Sequence, residues 1–131
     1  MSGQKDLAKV LASLSVSCDN AEYGFATTKD SFQPSNKIIG IFQENEGTTI
    51  IASKDYFEEQ GMNYEGLYAK LTIEVHTSLE LIGLTAVLAT KLAEKNISVN
   101  VFAAYYHDYI FVQHDKRKTA VQILESLGEM S

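Results

Sequence analysis

Residues 69–112, AKLTIEVHTSLELIGLTAVLATKLAEKNISVNVFAAYYHDYIFV, decide the fold. Leu71, Ile73 and Val75 alternate with Thr72, Glu74 and His76, the period of a strand with one buried face. Gly83 marks a turn. Leu84, Val87, Leu88 and Leu92 then form a helical stripe opposite Lys91, Glu94 and Lys95, and Asn96 is the stop. Val99, Val101 and Ala103 alternate with Ser98, Asn100 and Phe102 in a second strand, and after Tyr105–Asp108 the run Tyr109–Val112 returns as a third. A strand-helix-strand crossover is right-handed and leaves its two strands parallel, so the returning strand slots between them. The C-terminal end of the first strand then lies beside the start of the third. His76, the Ser78–Gly83 loop and the His107–Asp108 turn are thus predicted to meet at one end of a small sheet, where a ligand pocket is expected.

Working outward, Gln4–Leu14 carries Leu7, Val10, Leu11 and Leu14 at helical spacing and predicts a short amphipathic helix. Ser15–Asn20 reads as a polar break and Glu22–Thr28 as a strand, while Lys29–Lys37, with the chain's one proline at Pro34, reads as a loop. Ile38–Gln43 and Thr48–Ser53 flank Glu44-Asn45-Glu46-Gly47, the chemistry of a hairpin with glycine where positive φ is needed. Ser53 is placed to cap a helix over Lys54–Gln60, and Gly61 follows as its left-handed stop. A last helix spans Lys116–Leu127. The expected division is residues 1–66 and residues 67–131.

With 131 residues, 45% hydrophobic and 21% charged, the chain suits one compact domain or two half-size modules sharing a core. Eleven basic against seventeen acidic residues give a net charge of -6, which opposes the counterion release that drives nucleic-acid binding. DNA and RNA are therefore not expected as partners. Cys18 is the sole cysteine, so no internal disulfide and no CxxC motif can form, which points to a reducing cytoplasm. No signal-peptide run opens the sequence and no stretch approaches the roughly twenty apolar residues of a membrane span. No membrane role is expected.

Val75-His76-Thr77-Ser78-Leu79-Glu80, Gly83-Leu84-Thr85-Ala86, Ile97-Ser98-Val99-Asn100 and Tyr106–Val112 together resemble the C-terminal module of tandem ACT-domain proteins. Glu22–Thr27 and the Glu44–Gly47 hairpin extend a less specific likeness over the N-terminal half. The resemblance implies an α+β, ferredoxin-like fold: two interlocked ACT-like modules of βαββαβ type, with antiparallel sheets and helices on one face. It implies a regulatory module that binds a small molecule, an amino acid in most such proteins, at a module or subunit interface, and hence a homo-oligomer, expected as a dimer. Two departures matter. Only Gly128–Ser131 follow the last helix, so a fourth strand is lent by the N-terminal half or is absent, and Lys29–Lys37 offers no helix between the first two N-terminal strands.

The expected ligand-binding set is His76, Ser78, Leu79, Glu80, Ile82, Gly83, Leu84, Thr85, Asn100, Tyr106, His107 and Asp108. A helix N-terminus behind a glycine offers unpartnered amides to a carboxylate, although Gly83 as a plain turn and Ser78 as a plain cap explain the same residues. His76, His107 and Asp108 could instead ligate a metal or form an acid-base pair, but no zinc spacing accompanies them, so a hydrogen-bonding or structural role is favoured. Asn100 meets solvent or a ligand backbone. Tyr105, Tyr106 and Tyr109 read first as interface packing. Ser78 with a histidine is the one conceivable nucleophile pair, without a GxSxG elbow, and phosphate-binding glycine motifs are absent. No catalysis, cofactor or metal is expected. The alternatives carried are a structural or interaction protein without ligand, and, less favoured, a small metal-dependent enzyme.

Overall fold

The computed structural model describes residues 11–74 and 83–127. The helix expected over Gln4–Leu14 lies mostly outside them, as does the segment His76 to Ile82. Contacts divide the chain into two compact units, Asn20–Ala69 on one hand and Met1–Asp19 with Lys70–Ser131 on the other.

In the Asn20–Ala69 unit, β2 (Tyr23–Thr28) pairs antiparallel with β4 (Gly47–Ser53), which pairs antiparallel with β3 (Ile38–Glu44). The first half of β5 (Glu65–Glu74) flanks β2, giving the order β3-β4-β2-β5. Residues 29–37 form a loop, as the proline and polar composition require. The helix α1 (Lys54–Gln60) packs Tyr56 and Phe57 on Ala26, Ile50 and Ala52. Phe57 stacks on Tyr64 with centroids 5.1 Å apart, and the Tyr56 hydroxyl donates to the Gln33 carbonyl at 2.6 Å, tying the loop to the core. Gly61 ends α1 at φ 65°, and Met62 N–H closes back on the Phe57 carbonyl at 2.9 Å. Ser53 occupies the N-cap position, but its side chain makes no cap hydrogen bond. The first helical amide, Lys54 N–H, is taken instead by the Glu22 carbonyl at 2.8 Å. Gly47 is required by crowding: an added Cβ would lie 2.9 Å from Thr27 Oγ1 and 3.1 Å from the Thr28 carbonyl oxygen.

The other unit begins with β1 (Ser15–Cys18), where the sequence reads only a polar break. It pairs antiparallel with the second half of β5, Val16 opposite Ile73 and Cys18 opposite Leu71. From β5 the chain runs through α2 (Leu84–Ala93), β6 (Asn100–Ala103), β7 (Asp108–Gln113), a 3-10 turn (His114–Lys116) and α3 (Arg117–Glu125). The strand order is β1-β5-β7-β6. The returning strand therefore sits between the first two, and the missing fourth strand is lent by the N-terminal part of the chain. The last helix is shorter than the expected Lys116–Leu127, since Lys116 belongs to a preceding 3-10 turn and residues 126–127 wind as 3-10 after it. The predicted alternation holds in β5, where Ala69, Leu71 and Ile73 are buried. In α2 the buried residues are Leu84, Leu88 and Leu92, with Val87 half-buried at the edge of the stripe. Leu124 and Ala120 of α3, with Ile110 and Val112 of β7, are also buried.

Both units thus carry the ferredoxin-like order. In the first, β2, β3, β4, α1 and early β5 follow the same path that β5, β6, β7, α3 and β1 follow in the second, the closing strand of the second coming from the start of the chain. Two interlocked α+β modules with antiparallel pairing result.

Candidate functional site

Strand order makes the last residue of β5 and the turn before β7 neighbours, and the side chains meet there: His107 Nε2 lies 3.7 Å from Glu74 Oε1. Both are partly exposed, so the pair is accessible and contributes little to stability. The turn is closed by Ala104 N–H donating to the His107 carbonyl at 3.0 Å. The His107 ring stands edge-on to Tyr109, centroids 6.4 Å apart, and the Lys70 ammonium lies 5.7 Å from the Tyr109 ring centre. Lys70 in turn pairs with Asp19 at 3.5 Å. A line of alternating charge and ring, Asp19, Lys70, Tyr109, His107 and Glu74, crosses β5 and β7. Asp108 is half-buried and pairs across with Ala103. Its pleat parity is that of buried Ile110, so it leaves the side of the sheet that Tyr109 occupies.

Nine residues after Glu74, the chain enters α2 through Gly83 at φ 95°, ψ -9°. No described atom lies within 4 Å of a Cβ built there, so the glycine serves the left-handed conformation rather than close packing. Among the described residues no side chain caps this end, and the first helix bond runs from Val87 N–H to the Gly83 carbonyl at 2.9 Å. The amides of Leu84, Thr85 and Ala86 have no partner inside the helix, which gives this end partial positive charge. Leu84 is buried beneath the helix and Thr85 is exposed.

Of the other expected site residues, Asn100 is exposed on β6 opposite Phe111. Tyr106 is 83% exposed at the hairpin tip, edge-on to Tyr105, which is 92% exposed. His76, Ser78, Leu79, Glu80 and Ile82 lie outside the described residues. The structure brings His107 to the end of β5, as the topology requires. Glu74, Lys70 and Tyr109 were missed as a group. Their signal was strand parity, since Lys70, Thr72 and Glu74 share the side opposite Leu71 and Ile73.

Other chemistry-bearing groups are engaged elsewhere. Burial above all, and then the Asp19 carboxylate, push the Cys18 thiol up from its ordinary value against an opposing pull from Arg117, and the thiol faces the Asp19 carbonyl at 3.3 Å. It is not an activated nucleophile. Arg117 donates to the His114 carbonyl at 2.7 Å and lies 3.1 Å from His114 Nδ1, which must accept because guanidinium has no lone pair. Among the described residues no group of three or more His, Cys, Asp or Glu could hold a metal ion, and no helix is long and apolar enough to cross a membrane. In the Asn20–Ala69 unit a shallow, open groove of about 560 Å³ runs between Thr28, Lys29 and the Gln43–Thr48 turn.

Comparison with known proteins agrees with this architecture. ACT domain family models match residues 2–69 and residues 63–126. A Vibrio cholerae protein of unknown function, described as a possible transport protein, is 39% identical over 97% of this chain and 99% of its own, with a TM-score of 0.88. The aspartokinase alpha and beta subunits share the fold at 12% identity over 88% of this chain and 97% of theirs, TM-score 0.61. A C-terminal regulatory domain of aspartate kinase from Porphyromonas gingivalis, so described, does likewise at 12% identity over 86% and 94%, TM-score 0.51. No curated protein matches the chain. With both halves matched and the ferredoxin-like strand order present in each unit, the chain belongs to the ACT domain family, whose members are generally regulatory, ligand-binding modules.

Proposed function

We propose that this protein binds a free amino acid at the C-terminal module and transmits the binding as a change in association or conformation. The observation that carries the reading is the convergence of Glu74 with His107 at the point where the chain leaves β5, nine residues before it enters a helix through left-handed Gly83. Chain continuity ties the two ends of residues 75–82 to these features. An amino acid presents a carboxylate and an ammonium a short distance apart. The carboxylate suits the first amides of α2, Leu84 to Ala86. The ammonium suits Glu74, with His107, Tyr106 and Asn100 supplying polar and aromatic surface. His76, Ser78, Leu79, Glu80 and Ile82 complete the proposed lining, with Asp108 supporting the turn.

The mechanism is linkage: a ligand that contacts one state of the protein better than another shifts the balance by its differential affinity, typically ~1–3 kcal/mol. The reading takes the regulated partner to be a separate chain and places the protein in the cytoplasm without a catalytic role. A thermal-shift screen of the twenty amino acids tests this. One or a few should raise the melting temperature, and the rise should vanish in His107→Ala. A second reading, an interaction protein without ligand, draws on the exposure of Tyr105 and Tyr106. Tyr106→Arg would then change the elution volume while every amino acid left the melting curve unmoved.

A further inference from the structure

Five of the eleven basic residues, Lys91, Lys95, Lys116, Arg117 and Lys118, fall within residues 91–118, which hold three of the seventeen acids and leave fourteen acids against six bases elsewhere. Folding gathers these cations: Lys116 Nζ donates to the Asn96 carbonyl at 3.0 Å, which brings the start of α3 to the end of α2. Lys95 precedes that carbonyl by one residue, and Lys91 lies about one helical turn further back. The fold accounts for three of the five. Lys91 sits in the last turn of α2, where a cation complements the helix dipole, and pairs with Glu94 at 3.8 Å. Lys116 closes the corner, and Arg117 is held by His114. Lys95 and Lys118 are exposed and make no ion pair among the described residues. Lys118 also stands at the wrong end of its helix. Lys116, Arg117 and Lys118 open α3, whose first turn has no acid, so three cations crowd the positive pole of the helix dipole. Stability alone favours Asp or Glu there, and a local conflict of this kind is expected where a surface serves recognition.

We infer that the corner formed by the end of α2 and the start of α3 docks a short acidic segment of another protein, with Lys95 and Lys118 receiving its carboxylates. Two observations select this occupant among polyanions. The positive surface is compact and belongs to a chain that is strongly acidic elsewhere, so a nucleic-acid duplex or an anionic membrane, extending past the corner, meets repulsion over much of its contact. An extended acidic peptide carries one charge per ~3.3–3.6 Å and sets several carboxylates within the corner alone. The two accessible charges are also lysines, compact ammonium groups, whereas the one arginine, whose planar fork suits phosphate, is already engaged with His114. The corner lies at the opposite end of α2 from Gly83, ~15 Å along a ten-residue helix, so an acidic segment and the proposed amino acid contact different groups.

The inference gives the separate regulated chain a surface to meet, but it rests on the charge pattern alone and not on the ligand reading. Fluorescence anisotropy of a fluorescein-labelled octaglutamate peptide, titrated with the full chain at low salt and without any amino acid, is the test. A saturable rise is expected, weakening as salt climbs from ~0.05 to ~0.3 M because exposed charges are screened. Lys95→Glu combined with Lys118→Glu should weaken binding about tenfold or more, with an unchanged circular dichroism spectrum. Lys29→Glu combined with Lys54→Glu changes net charge equally in the Asn20–Ala69 unit and should stay within about twofold of the native protein. If the first pair does not fold, Lys95→Gln combined with Lys118→Gln takes its place and should weaken binding about threefold or more. An octathymidylate and phosphatidylserine vesicles should both bind more weakly than the peptide. Absence of saturable peptide binding, equal loss in both charge-reversed pairs, or tighter binding of the thymidylate or the vesicles would overturn the inference. So would self-association of the native protein that Lys95→Glu with Lys118→Glu abolishes, since the corner would then belong to a second copy. No amino acid is present, so each of these outcomes leaves the thermal-shift result untouched.

Discussion

Gly83 and Asn96 bracket α2 with left-handed backbone at both ends, φ 95° and φ 60°. At Asn96 the geometry closes the helix: Ile97 N–H reaches the Leu92 carbonyl at 3.0 Å, and Lys116 Nζ donates to the Asn96 carbonyl at 3.0 Å. A β-branched side chain is strained there, so Asn96→Val should destabilise by roughly 1–2 kcal/mol in urea unfolding while Asn96→Gly stays near neutral. Gly83→Ala carries the same kind of strain at a position open to solvent. It should cost about 1–2 kcal/mol and weaken amino-acid binding by turning the α2 amides, whereas a purely structural turn would lose stability alone. Cys18 supplies a pH prediction. Its folded thiol is raised above the ordinary value, so its thiolate fraction lags that of a free cysteine. Labelling by a thiol reagent should be slow at pH 8 and should keep rising after a model thiol has levelled off. The same sign makes any linked stability fall as pH climbs through the alkaline range. These residues were legible to different degrees. Asn96 and Gly61 announced helix ends through composition, while Cys18 revealed only that it has no disulfide partner.

At the scale of elements, β1 shows why some structure stayed hidden. Its four residues, Ser-Val-Ser-Cys, alternate correctly, but only Val16 and Cys18 are half-buried, too few to raise a period-two signal above a polar stretch. The structure supplies it all the same, Val16 lying opposite Ile73 and Cys18 opposite Leu71. Long, periodic elements were readable directly: β5 buries Ala69, Leu71 and Ile73, and α2 buries Leu84, Leu88 and Leu92. Ser53 was legible as a cap position and misread as a cap hydrogen bond, since a distant carbonyl, that of Glu22, satisfies the helix first. Two element-scale predictions belong here. Leu92→Ala removes a fully buried side chain from the α2 stripe and should cost ~2–5 kcal/mol by denaturant midpoint. Tyr56→Phe should cost about 0.5–1.5 kcal/mol, since it leaves the ring in place and removes only the bond to the Gln33 carbonyl.

For the whole molecule, the sequence pattern of residues 69–112 was enough to place the returning strand between its predecessors and to bring His107 to the end of β5. His76 was also expected beside His107; it lies outside the described residues, and the described neighbour of His107 is Glu74. What was legible of the proposed site is the nearness of His107 to the end of β5. Its lining was less so, because side-chain rotamers and loop conformation depend on packing that periodicity does not encode. The glycine-entered N-terminus of α2 supplies a physical reason for an anion to be favoured at that helix end.

Thermal melting of the native protein against each of the twenty amino acids, repeated with His107→Ala and Gly83→Ala, bears on this most directly. At a ligand concentration about one hundred times Kd, a single site stabilises by ~2.7 kcal/mol, which moves the midpoint of a domain this size by several degrees. The account predicts such a saturable rise for one or a few amino acids, abolished or strongly reduced in both variants. Flat curves for all twenty, or a rise that both variants keep in full, would contradict it.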